Sequence, residues 1–399
     1  MNFVSGPINL VRLEGEIEGN KKVFYIFFDI HNDLYDQTEC NDIKATNIKD
    51  LLVDKFSQTK VMYDYFLEIY TMSDYTKSDI SKKNTIKYIL NLSYMFGKSA
   101  NFDYEKNKVL SSKEFPNVRF HFIDFRYFLY HHNDYYFGNI ILDFEKSNTP
   151  ESLKNIVDMI NIIGAKHYLI YSILFTDEDI TNKNHKNIIN TYEAINKYSS
   201  DDMNDIIIFL INKIKKDYTK EKVKNNIHEL FSNLKELYDS FFDTIILSKE
   251  TVTKLIEIHE QYKTAKVLHQ SDLFFKINEI KNKCFVLLSV LRIKMLYINV
   301  FLIDMYYLRR ALDKDYTKIN ISYTGGMHSI HYIYVLVKYF DFRITNSAYI
   351  NCSIDEATKK IKNTKKLFDD FTTNNEIVDI FDTDGVQCID ISNFPELFT

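Results

Sequence analysis

Tryptophan is absent from this 399-residue chain, and proline and glycine are scarce at four and nine residues. Few prolines and glycines leave few positions for a flexible hinge, and no Pro-rich or Gly/Ser-rich stretch marks a linker. The four cysteines, Cys40, Cys284, Cys352 and Cys388, are widely separated and include no C-x-x-C pair. That spacing argues against a disulfide framework or a zinc ribbon and favours a reducing compartment. Charge of one sign is also lacking, with 50 Lys+Arg against 55 Asp+Glu and no long block of either. Nothing therefore advertises a nucleic-acid or anionic-membrane surface. Residues 1–7 lack the basic and apolar regions of a signal peptide. The apolar run Cys284 to Leu308 is interrupted by Arg292, Lys294 and Asp304, which are costly in lipid, so a buried core helix is expected there and no membrane span.

What is abundant is Phe (31) and Tyr (29), beside much Asn, Ile and Lys, the composition of a strongly A/T-biased coding sequence. The organising stretch runs from Lys318 to Phe340. An alternating apolar run ends in Gly325-Gly326, His328 follows, and Ile330, Ile333, Tyr334 and Val337 recur at helical spacing. The pattern predicts strand, tight turn, helix, with the first amides of the helix free to face a ligand.

Earlier in the chain, Val23–Phe28 reads as a strand buried on both faces and entered through the turn signal Gly19–Lys22. Thr46 is placed to cap a helix with Ile48, Leu51, Leu52 and Phe56 on one stripe. Tyr63–Ile69 and Val118–Arg126 read as further strands, with a helix between Ser78 and Phe96. Strand, helix, strand, helix, strand is the rhythm of a parallel sheet. A helix from Glu151 is expected to stop at Gly164, and Lys166–Phe175 stays undecided between helix and strand. Asp202–Asp315 reads as helical, with a long pattern from Asp272 to Asp313 in which a break is expected. Strands return at Lys318, weakly at Phe342–Ile344, and at Val386–Ile391. The expected fold is α/β, a mostly parallel central sheet flanked by helices with a large helical insertion: residues 1–145 and 316–399 form two halves of the core, and 146–315 the insertion.

Ligands of open parallel sheets bind outside the carboxyl ends of the strands. His31, Glu68, Asp124, Arg126 and His328 all fall at or beyond such ends. Two histidines and a carboxylate suit a divalent transition metal, which activates water or polarises a carbonyl. Arg126 offers a two-pronged anion grip, and Asp29 or Glu68 could orient a histidine acting as general base without metal. Gly325 and Gly326 could cradle an anionic cofactor group, although neither a P-loop nor G-x-G-x-x-G is present and Ser329 lacks a nucleophile elbow. His331, one helical turn beyond His328, could be a second ligand, and His131-His132 with Asp134 a metal cluster. Each assignment has a plain structural counterpart: His328 and His31 as hydrogen-bonded turn residues, His331 as a solvent-facing or core residue, His131-His132 as surface loop, Arg126 as an ion-pair partner; His121 reads as packing.

Asp29-Ile30-His31, Glu68, Asp124-Phe125-Arg126 and Gly325-Gly326-Met327-His328 resemble the motifs of the TIKI, TraB, ChaN and erythromycin-esterase superfamily. That resemblance implies an α/β core with a helical insertion and a metal-dependent, peptidase-like hydrolase, or haem or ligand binding. The position three before His31 is Phe28, where that superfamily has glycine. The phrases Phe27–Cys40 and Tyr323–Tyr332 also resemble a protein family of mimivirus-like giant DNA viruses. That likeness implies a viral origin and an infected host's cytoplasm. The missing glycine motivates an alternative, a non-enzymatic virion or virus-factory protein with a degenerate site; viral protein partners and an unnamed substrate are the expected partners.

Overall fold

The computed structural model describes residues 2–30, 40, 42, 44–68, 89, 92, 95–96, 102–103, 108–109, 112, 114–125, 136–175, 201–365, 376–381, 383 and 385–398. In chain order the elements are β1 (Phe3–Ser5), β2 (Asn9–Ile17), β3 (Asn20–Asp29), β4 (Thr46–Asn47), α1 (Ile48–Gln58), β5 (Tyr63–Leu67), β6 (Phe102–Asp103), β7 (Lys108–Val109) and β8 (Val118–Phe122). They continue with α2 (Tyr136–Lys146), α3 (Pro150–Phe175), α4 (Asp201–Lys216), α5 (Glu221–Thr264), α6 (Val267–Asp313), β9 (Ile319–Gly325), α7 (Gly326–Phe340), β10 (Arg343–Ser347), α8 (Ile354–Asn363), α9 (Glu376–Phe381) and β11 (Cys388–Asp390). Two compact units divide the chain. The first comprises Met1–Phe125, Tyr218–Ile227 and Ile303–Thr399; the second, Arg126–Asp217 and His228–Leu302.

The first unit is built on a six-stranded sheet of order β10-β2-β3-β9-β5-β8. The fold is α/β, but the expected mostly parallel sheet is a mixed one. β3, β9, β5 and β8 run parallel, whereas β2 and β10 pair antiparallel. The reason is a hairpin that the turn signal concealed. Ile17 pairs with Asn20, and the two residues between, Glu18 (φ 50°) and Gly19 (φ 83°), are both left-handed, the geometry that matches the twist of adjoining strands. Gly19 thus reverses the chain instead of merely opening a strand.

Side-chain alternation divides the sheet's faces. Tyr25 and Phe27 of β3, Tyr65 and Leu67 of β5, Phe120 of β8 and Tyr323 of β9 enter one aromatic core with Ile48, Leu52 and Phe56 of α1. The cap of α1 is Asn47, not Thr46: its side chain accepts from Lys49 N at 2.9 Å, while Thr46 pairs with Val4 in a small second sheet, β11-β1-β4. The Val386–Ile391 strand is shorter than expected and belongs to that small sheet as β11.

The other face carries polar side chains that anchor the end of α6. Lys22 Nζ donates to the carbonyls of Ala311, Lys314 and Thr317 at 3.0, 2.8 and 2.6 Å, capping the helix where its carbonyls lack partners. Burial lowers the Lys22 amine to about 8. Asp313, the last residue of α6, accepts from the amides of Thr219 and Lys220 ahead of α5, at 2.7 and 2.8 Å. Asp64, fully buried, accepts a two-pronged grip from Arg119 at 2.7 and 2.5 Å and a bond from His121 at 2.8 Å. Burial alone would raise its carboxyl; these two partners outweigh it and hold the group below the usual range.

The cysteine spacing argues against a disulfide framework, yet the structure has a disulfide. Cys40 and Cys388 are bonded, with Cα atoms 5.0 Å apart across a sequence separation of 348. Tertiary folding brings the β11 end to the segment after β3, which linear spacing cannot reveal.

The second unit is helical among its described residues. α3 runs through Gly164, the expected stop, and takes in the undecided Lys166–Phe175. α6, whose residues up to Leu302 belong to this unit, shows no break among its 47 residues. Its length and composition would let it cross a membrane. Its charges nevertheless meet protein groups or solvent: Arg292 is exposed, and Lys294 Nζ donates to Ser240 O, Ser240 Oγ and Thr244 Oγ1 at 2.8, 2.6 and 2.7 Å.

His167 of α3 is 1% exposed, with its ring edge-on to Phe241 at 4.8 Å. Burial lowers it to about 3, so the folded chain keeps it neutral while the unfolded chain protonates near 6.5. Between those values the unfolded state binds more protons, and stability is lost as pH falls. Denaturant midpoints read by far-UV circular dichroism should drop more between pH 7 and 4.5 for the natural chain than for His167→Phe; parallel pH slopes would refute this.

Candidate functional site

At the carboxyl ends of the parallel strands, β9 enters α7 with no excursion. Gly325 is the N-cap at φ −57° and Gly326 has open space around it, so neither glycine is needed for a left-handed turn. Thr324 Oγ1 and Ser329 Oγ lie 2.9 Å apart and fasten the corner. Glu68, one residue beyond β5, donates its backbone N–H to Tyr323 O at 3.2 Å and turns its carboxylate to α7. Glu68 Oε2 accepts from Gly325 N at 2.7 Å. An anion cradle was expected at these glycines; Glu68 supplies the anion there, favoured by the helix N-terminus.

The other Glu68 oxygen, Oε1, is 3.1 Å from His328 Nε2. His328 Nδ1 donates to Asp304 Oδ1 at 2.6 Å, and Asp304 Oδ2 takes His331 Nδ1 at 2.5 Å. The four side chains are buried, with His328 4% and Glu68 5% exposed and Asp304 and His331 at 0%. Burial disfavours the imidazolium, but the charges of Glu68 and Asp304 outweigh it and push His328 up to about 10. His328 is thus charged at neutral pH, with an N–H toward each carboxylate. Tyr332 faces the same acid; burial first, then the Asp304 charge, raises its hydroxyl well above its ordinary range. Its ring lies 4.1 Å from that of Tyr307.

Of the residues expected to converge, Glu68 and His328 do so. His31 and Arg126 lie outside the described residues, as do His131, His132 and Asp134. Asp124 is 5% exposed just past β8. Asp29 takes a different place. It shares strand parity with Tyr25 and Phe27 and accepts from Tyr323 OH at 3.4 Å, on the α1 face, while Glu68 follows Asp64 and Phe66 on the opposite face. The carboxylate bonded to His328 Nδ1 is Asp304. From the sequence, Asp304 stands out only as a charge against a membrane span, and His331 as a candidate second ligand or a solvent-facing or core residue; the structure places it on Asp304 instead. His121, read as packing, stacks on Phe66 at 4.5 Å and also pairs with Asp64.

Compared with known proteins, the chain matches DUF5847, a family of unknown function, over residues 2–399. It belongs to that family. Uncharacterized proteins of Acanthamoeba polyphaga mimivirus are similar over almost the whole chain: one is 30% identical over 99% of this chain and 98% of its own length. Two more are 30% and 31% identical, each over 99% of this chain and 97% of the relative. No solved structure matches. The giant-virus likeness is thereby made good, while none of these matches leads to the TIKI and ChaN superfamily.

Because the His328 value is raised, its contribution to stability is complete below about 6.5 and is lost as pH rises toward about 10. The stability difference between the natural chain and His328→Gln should shrink over that window. Asp304→Asn should cost about 3–5 kcal/mol at pH 7, the usual penalty for breaking a buried ion pair. Urea titrations of the three proteins at pH 6, 8 and 10 would check both; a pH-invariant difference, or an Asp304→Asn chain as stable as the natural one, would contradict them.

Proposed function

We propose that the chain is a metal-dependent hydrolase of peptidase-like type, its metal held by His31, Glu68 and His328. One observation carries the reading: Asp304 fixes His328 through Nδ1, so that Nε2 and Glu68 Oε1 face each other at 3.1 Å. A carboxylate that orients one ring nitrogen while the other meets an oxygen ligand is the usual support of a metal-binding histidine. An imidazole nitrogen and an anionic carboxylate oxygen are a donor set that zinc and similar divalent ions accept. The third ligand would be His31, two residues beyond the end of β3 and outside the described residues. Binding requires His328 to give up the Nε2 proton, so affinity should rise with pH. When bound, such an ion acidifies water or polarises a carbonyl.

The chain's own residues would do the rest. Asp304 holds the imidazole in the Nδ1–H form, Gly325 N keeps Glu68 turned toward the ring, and Asp124 and Arg126 orient the substrate. The reading includes a viral setting, in host cytoplasm, virus factory or virion, with viral proteins as partners; the giant-virus relatives support it.

A second reading is favoured by another observation. Both His328 nitrogens and both Glu68 oxygens already have protein partners, so the cluster can serve as a self-sufficient ionic clamp in a non-enzymatic viral protein. The two readings separate on metal content. Under the first, elemental analysis of the full chain dialysed against zinc or manganese finds a stoichiometric ion, Asp304→Asn weakens binding roughly 10–100-fold, and His328→Ala abolishes it along with hydrolysis of peptide or ester substrates. Equal metal content in the natural, Glu68→Gln and His328→Ala proteins would sink the hydrolase and leave the clamp.

A further inference from the structure

The Cys40–Cys388 bond fastens the last residues of the chain to the core. β11 is only three residues long, and it pairs with three residues of β1. Gly6 N donates to Gln387 O at 3.0 Å, and Gln387 Nε2 to Gly6 O at 2.9 Å. Ile389 within β11 is buried, and the largely exposed stretch after it returns to the core at Leu397 and Phe398, which are buried. The Phe398 ring stands edge-on to Tyr25 at 4.9 Å and to Tyr63 at 5.8 Å, and it meets Phe56 at 6.4 Å. The segment is therefore a plug in the aromatic face under α1. A three-residue pairing is marginal by itself. Tethering raises the effective concentration of the plug at its seat without adding a contact.

Both bonded cysteines are residues of intermediate burial, unlike the fully buried Cys284. Cys284 is of another kind. It is buried on α6, and burial pushes its thiol up to about 12, which makes it a poor nucleophile for exchange.

We infer that Cys40–Cys388 is a redox-controlled staple: oxidised, it keeps the C-terminal plug seated; reduced, it lets residues from Cys388 onward leave and uncovers Tyr25, Phe56 and Tyr63. Formation removes two protons and two electrons from the Cys40 and Cys388 thiols. A disulfide-bearing oxidant accepts them and departs as its dithiol. Opening is the reverse exchange: an external thiolate attacks one sulfur, the other leaves as thiolate, and a second external thiol resolves the mixed disulfide. The staple is independent of any hydrolase chemistry. It gives the chain a setting in which it is complete, an oxidising one, and another in which it opens, the thiol-rich cytosol.

The test is limited proteolysis of the full chain in oxidised and reduced glutathione, with differential alkylation to report each cysteine. In the oxidised buffer Cys40 and Cys388 should resist alkylation and be recovered as one cross-linked peptide pair. Reduction should expose both and speed cleavage after Cys388 several-fold. Cys40→Ser/Cys388→Ser should be cut at the fast rate in both buffers, and Cys352→Ser should respond like the natural chain. If the double variant does not fold, the reduced natural chain decides alone. Free Cys40 and Cys388 thiols in the oxidised buffer, equal cleavage rates in the two buffers, or loss of the response in Cys352→Ser would each overturn the inference.

Discussion

A carboxylate in the apolar interior must be compensated, and in this fold Asp304 is that carboxylate. It sits at 0% exposure on α6 among residues such as Leu302, Ile303 and Met305, where an unpaired charge would cost several kcal/mol. Compensation comes from two histidines three apart on α7, which place one helical face of α7 against this stretch of α6. With that rotation set, the second nitrogen of His328 meets Glu68, and Glu68 in turn closes the N-terminus of α7 through Gly325 N. One acid thereby ties a helix, a strand end and a strand-to-helix corner into a single arrangement. The capping of α6 by Lys22 fixes the end from which Asp304 projects.

Much of the fold was legible because it rests on local pattern. The runs at Val23, Tyr63, Val118 and Ile319 became strands β3, β5, β8 and β9, since β-formers covered on both faces leave no amphipathic alternative. Non-local facts were not legible. β9 enters between β3 and β5, although it follows them by a long helical stretch. Nothing in its own residues encodes that neighbour. β2 went unread because Arg12 and Glu14 interrupt its apolar residues; the two are ion-paired at 2.5 Å. The expected break in α6 had no local support, for residues 267–313 contain neither glycine nor proline.

The site divides the same way. Glu68 and His328 were accessible through the rule that strand ends gather ligands. Asp29 shares strand parity with Tyr25 and Phe27 and so lies on the face opposite Glu68. Asp304 and His331 could have been found by asking what a solitary acid in a buried helix must touch, since the only histidines spaced one helical turn apart and flanked by apolar residues stand on α7. The signal was a burial cost, not a motif.

The central claim is that Asp304 and Glu68 together hold His328 as a doubly donating imidazolium whose Nε2 proton a divalent ion replaces. Imidazole 15N shifts of His328, followed from pH 5 to 10 with and without zinc, test it most directly. The expected result is a ring protonated on both nitrogens well above neutrality in metal-free protein, turning to the neutral Nδ1–H form at pH 7 when zinc is added. A ring that titrates near 6.5 with no response to zinc would contradict it.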